Sequence, residues 1–104
     1  MTVSEIKSLL VAVDPNVQRY EHDHEGLDAY TVWREFGRMN LFGDGEEEGS
    51  IHFQVDRFTK DEGDGIAAAL LSALESRDDI AVDYLVDYER DTGYIHHIYD
   101  CEGC

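Results

Sequence analysis

The sequence predicts a single α+β domain, built as one antiparallel sheet of four to five strands with two helices packed on one face. Three observations lead there. Residues 3–13 and 66–74 repeat apolar side chains at helical spacing. Residues 29–36, 50–59 and 80–88 alternate in polarity or are rich in β-branched and aromatic residues, as strands are. The elements run helix, two or three strands, helix, two strands, an order that suits a sheet covered on one side by both helices.

The first helix opens at Thr2, which with Glu5 three residues later has the form of a capping box. Val3, Ile6, Leu10 and Val13 form its apolar stripe, and Leu9 widens it. Asp14-Pro15-Asn16 ends the helix, because proline lacks the amide hydrogen and disfavours helix in the residue before it. Residues 17–21 have the composition of a first short strand, and His22-Asp23-His24-Glu25-Gly26 that of a turn. A second strand is expected over 29–36. The stretch 37–49 then interleaves Gly43, Gly45 and Gly49 with Asp44, Glu46, Glu47 and Glu48, which predicts a mobile acidic loop.

In 50–59, Ile51, Phe53 and Val55 point one way and His52, Gln54 and Asp56 the other. The phase slips at Arg57-Phe58, which suggests a bulge or an approach to a sheet edge. After the acidic turn 61–65, Asp64 can cap a helix whose stripe is Ile66, Leu70 and Leu74, with Ala67, Leu71 and Ala73 beside it. Ile80, Val82, Tyr84, Val86 and Tyr88 then alternate with Ala81, Asp83, Leu85 and Asp87, the pattern of a half-buried strand. Arg90-Asp91-Thr92-Gly93 supplies a turn, and residues 94–99 return to complete a hairpin.

Length and composition bound what such a domain can do. With 104 residues, 1–104 is one domain, and a hydrophobic fraction of 42% provides a core. A chain of this size buries only about two-thirds of its surface, so contacts with other subunits would add useful stability. Eight basic residues against 24 acidic ones give a formal net charge of −16. That field repels phosphates, so sequence-specific nucleic-acid binding and attachment to anionic membranes are not expected. No run approaches the roughly 20 apolar residues that cross a bilayer, and no leader-like segment is expected at the start. Two cysteines exclude a disulfide-built scaffold.

Two stretches of the second half carry a resemblance. They are Ile51-His52-Phe53-Gln54-Val55-Asp56-Arg57-Phe58-Thr59-Lys60 and Asp87-Tyr88-Glu89-Arg90-Asp91-Thr92-Gly93-Tyr94-Ile95-His96-His97. In them Val55-Asp56, Thr59-Lys60, Tyr88-Glu89, Asp91-Thr92-Gly93 and His96 fall in the places and order seen in the tail-completion proteins of long-tailed phages and prophages, which join tail to head. The chain resembles that tail terminator-like family over about half its length, and its first half matches in layout alone. Arg57 stands where an apolar residue is common, the second helix lacks an aromatic near its start, and His97 replaces a frequent lysine.

The resemblance implies a virion structural protein without enzymatic activity. It would be one subunit of a ring, a hexamer in the assembled tail, that caps the tail tube and meets the major tail protein and the head-connector protein. Its place would be the virion tail, and the host cytoplasm before assembly. Carboxylates of Asp44, Glu46, Glu47 and Glu48, or of the 61–64 cluster, would face a lumen through which DNA passes without adhering. The charge also fits a different role, that of an acidic DNA mimic inhibiting a nucleic-acid-binding enzyme.

Other constellations are weaker. Cys101-Glu102-Gly103-Cys104 has zinc-ligand spacing, and two imidazoles from His22, His24, His96 or His97 would have to complete the set. A single such pair at the end of the chain favours an exposed tail with free thiols, so no metal or other cofactor is expected. His96 and His97 are neighbours in a strand and point to opposite faces. The carboxylates sit mostly in glycine-flanked loops, where the burial that tunes an acid catalyst is not expected. Tyr84, Tyr88, Tyr94, Tyr99 and Phe36 are expected mostly in the core. Trp33 points away from Tyr30 and Val32, toward the less apolar side of its strand, which makes it a candidate interface anchor.

Overall fold

A computed structural model describes residues 1–39 and 49–104, with the backbone alone at 38 and 39. The acidic residues Asp44, Glu46, Glu47 and Glu48 lie outside the described residues. The elements are α1 (Val3–Val13), β1 (Gln18–Arg19), β2 (Ala29–Met39), β3 (Ser50–Thr59), α2 (Gly65–Glu75), β4 (Ile80–Tyr88) and β5 (Ile95–Gly103). The strands form one sheet in the order β1-β2-β3-β5-β4. It is antiparallel except at its shortest strand, β1, which runs parallel to β2.

The helix ends form where capping chemistry directs. Thr2 accepts from the amide of Glu5 at 3.1 Å, and α1 stops at Val13 with Asp14 as its last cap. Asp64 accepts from the amide of Ile66 at 3.2 Å and opens α2. Arg77 lies just past α2 and pairs with Asp79 at 2.8 Å.

Both helices cover one face of the sheet. Ile6 and Leu10 of α1 and Leu70 and Leu74 of α2 close on Trp33, Phe53, Val55 and Tyr99. The row of β3 that faces them runs Ile51, Phe53, Val55, Arg57 and Thr59, all buried. The phase therefore does not slip at Arg57: β3 keeps regular register with both neighbours there, and the irregularity lies in β2, between Glu35 and Gly37. Arg57 looked out of phase because it is a charged residue at a core-facing position.

One further expectation changes. The C-terminal segment is no fraying tail, because β5 extends to Gly103 between β3 and β4. The backbone then holds on: the Cys104 amide donates to Asp79 at 2.8 Å, and the Met1 ammonium donates to the Cys104 carbonyl at 3.0 Å. The connection from β4 to β5 turns at Gly93, whose φ of +81° suits glycine, and the Gly93 amide donates to Glu89 at 2.8 Å. Among the described residues no helix is long and apolar enough to cross a membrane.

Candidate functional site

Arg57 anchors the interior of the sheet's far end. Its guanidinium donates through Nε and Nη2 to Asp64 at 2.7 and 3.3 Å, and through Nη1 to the Thr31 hydroxyl at 3.2 Å. Asp14, at the end of α1, lies 3.5 Å from the same Nη1. One buried cation thus ties the exit of α1, the entry of α2 and two strands together. Burial alone would raise the Asp64 pKa, but the hydrogen bonds and charge of Arg57 outweigh it and hold the carboxyl below its ordinary range. Beside this cluster opens a cleft of about 610 Å³, lined by the 14–18 connection, His22, Leu27, Tyr30 and Arg57. Two carboxylates already offset the arginine on its wall, so the cleft offers no charge for an anion to meet.

On the opposite face no helix of the described residues lies over the sheet. There His24, Tyr30, Phe58 and His96 stack in sequence, with ring centroids 4.2, 4.7 and 4.1 Å apart. Tyr94 meets Tyr30 edge-on at 5.6 Å and donates its hydroxyl to the Leu27 carbonyl at 2.5 Å. His96 also contacts Asp56 at 2.7 Å. The two histidines of the 22–26 turn are therefore packing residues for Tyr30, which explains how a polar loop is held against the sheet.

Among the described residues, β4 carries the most exposed apolar surface. Asp64 binds Arg57, so α2 begins over the cross-strand row Arg57–His97–Val86 and runs from there toward Ile80. Only Ile80 of β4 is buried and only Val82 is partly packed. Beyond them Tyr84 is 39% exposed, Leu85 61%, Val86 53% and Tyr88 60%. The alternation predicted a covered face, but of that face only Ile80 and Val82 are covered. β4 is also the outermost strand, so one side of its backbone has no neighbour among the described residues. Next to it, burial lowers the His97 pKa, and Nδ1 of the ring shares a hydrogen bond with the Tyr84 hydroxyl at 2.7 Å.

The residues singled out in the sequence are placed as follows. Trp33 is no interface anchor: it is 2% exposed and packs edge-on against Phe53 in the chain's own core. Its strand has the reverse orientation to that expected, with Tyr30 and Val32 on the helix-free face, where Tyr30 pairs with Phe58. Tyr94 and Tyr99 are core residues, whereas Tyr84, Tyr88 and Phe36 are exposed. Cys101 faces the core, where burial pushes its thiol up to about 12, while Cys104 is exposed. Among the described residues no group of three or more His, Cys, Asp or Glu gathers as metal ligands. His96 and His97 do point to opposite faces, toward Asp56 and Tyr84. Of the 61–64 cluster, Asp61 and Glu62 are exposed, but Asp64 is committed to Arg57 and the α2 cap.

Sequence reading missed Leu85 and Arg57. Each carried a signal: Leu85 is an apolar residue in the polar phase of its strand, and Arg57 a charge in the apolar phase of its own. No protein-family model matches the chain, and a search of curated proteins finds no significant relative.

Proposed function

We propose that this protein is a structural subunit that works by assembling with copies of itself and not by catalysis. In the fullest form of this reading it is a tail-completion part of a long-tailed phage or prophage, a ring joining the tail tube to the head connector. The observation that carries the reading is the β4–β5 hairpin. It presents Tyr84, Leu85, Val86 and Tyr88 to solvent on a strand whose outer edge has no neighbour among the described residues. Exposed apolar side chains gathered on an open edge mark a surface that another chain covers. The same hairpin holds the Asp87–His97 stretch, one of the two on which the family resemblance rests.

The interior chemistry supports a non-catalytic role. The buried arginine is matched by Asp14 and Asp64, and the buried thiol of Cys101 is held protonated. Acidic surface suits a ring around DNA, since carboxylates keep phosphates from adhering. In this reading Asp44, Glu46, Glu47 and Glu48, together with Asp61 and Glu62, line or rim the channel.

Immunogold labelling of tailed particles from cells that carry the chain tests this directly. The expected result is label at the junction of head and tail. Absence from the particles, with the chain recovered instead in the nucleic-acid cleft of an enzyme, overturns it in favour of a DNA mimic.

A further inference from the structure

We infer that the β4 edge of one copy docks on the free edge of β2 in a second copy, residues 34–37, so that the sheet continues from subunit to subunit. This rests on the assembly reading above and gives it a specific contact. The sheet has two edges. One is β4, nine residues long and unpaired on its outer side among the described residues. At the other, β1 covers β2 only at Val32 and Trp33, and among the described residues no strand pairs with the outer side of β2 from Arg34 onward.

The side chains at these edges are complementary. On the helix-free face, β4 presents Leu85 between Asp83 and Asp87. On the same face, β2 presents Arg34 and Phe36, with the guanidinium 4.5 Å from the centre of the Phe36 ring. Phe36 is 48% exposed, and Arg34 has no carboxylate partner among the described residues. Setting Leu85 opposite Phe36 places Arg34 opposite Asp87, with the two strands antiparallel, the direction that β2 and β4 already have at the two edges of one sheet. The pairing joins an apolar pair to an ion pair.

Asp83 adds an independent reason. It lies directly across from Asp100 of β5, a pairing of like charges that costs stability. His52 answers Asp100 at 2.5 Å, but Asp83 has no cationic partner among the described residues. A positive charge arriving on this face of β4 lowers that repulsion. Pairing β4 with β4 of another copy does the opposite, since it brings Asp83 and Asp87 of both chains onto one face. The contact is therefore head-to-tail, the kind that closes into a ring when its rotation permits.

The test uses the full chain and two variants, Leu85→Asp on β4 and R34D/F36S on β2, measured by sedimentation velocity and native mass spectrometry. Both changes fall on exposed residues, and circular dichroism checks that each variant folds. Head-to-tail pairing predicts that wild type assembles, that each variant alone is monomeric, and that an equal mixture forms dimers and nothing larger. The variant R34D/D83R/D87R, with the charges exchanged, should regain more assembly than Arg34→Asp alone. A β2 variant that assembles like wild type overturns this pairing in favour of a symmetric contact. Two variants that both assemble place the contact elsewhere and leave the assembly reading standing. A wild-type chain that is monomeric at every concentration overturns both.

Discussion

Arg57 and Asp64 meet at two points, with Nε and Nη2 of the arginine 2.7 and 3.3 Å from the two carboxylate oxygens, and both side chains are almost wholly buried. Removing one member of such a pair leaves the other charged and unpaired in the interior. Arg57→Ala should therefore lower the unfolding free energy by about 3–5 kcal/mol, read from urea denaturation. Replacing the whole cluster with R57M/D14N/D64S, which keeps a capping hydroxyl at the start of α2, should recover most of that loss. A mild effect of Arg57→Ala would show that the cluster does not organise the two helix ends.

Acid should weaken the fold through the same pair. The Asp64 pKa is depressed in the folded chain, so below the ordinary aspartate value the unfolded chain binds more protons. The stabilisation is complete above about pH 4 and disappears as pH falls through the depressed value. Urea midpoints followed from neutral pH downward should fall steeply in wild type and less steeply in Asp64→Ser. His97 adds an earlier step. Burial lowers its pKa, so its contribution is full above about 6.5 and declines as pH drops below that. His97→Gln should flatten the curve in that window alone.

The helix limits and the two-face pattern of β3 from Ile51 to Asp56 were legible in the sequence because they depend on neighbours a few residues away. Thr2, Asp64 and the Asp14-Pro15-Asn16 stop act within one turn of themselves. The burial of β4 depends on something remote, namely how far α2 extends over the sheet. That reach is fixed by the contact of Asp64 with Arg57, which no local pattern encodes. Trp33 misled for a related reason. Both phases of β2 carry aromatic residues, and the helix-free face turned out to hold its own aromatic stack, from Tyr30 to His96. Cys101 looked like part of a tail because the extent of β5 depends on its pairing with β3 and β4, which lie far away in sequence.

Trp33 should report on the core and not on assembly. It is the only tryptophan and is 2% exposed, so its emission should be blue-shifted and poorly quenched by acrylamide. Neither property should change as the chain associates. A red-shifted spectrum that moves on association would return Trp33 to the surface.

The two thiols should differ sharply in reactivity. A thiol reagent added to the native chain should modify Cys104 alone, because the thiolate is the reactive form and burial holds the Cys101 thiol at about 12. Denaturant should expose the second. Rapid modification of both in the native state would contradict the packing of Cys101 and reopen a metal or redox role for the pair.

The edge of β4 carries the account, and amide hydrogen exchange across Ile80–Tyr88 at low and high protein concentration interrogates it most directly. Outward amides of an unpaired edge strand exchange readily, and pairing with another strand shields them. The account predicts marked slowing at these residues as concentration rises, with matching protection at the start of the free edge of β2. Assembly that leaves exchange along β4 unchanged would contradict it.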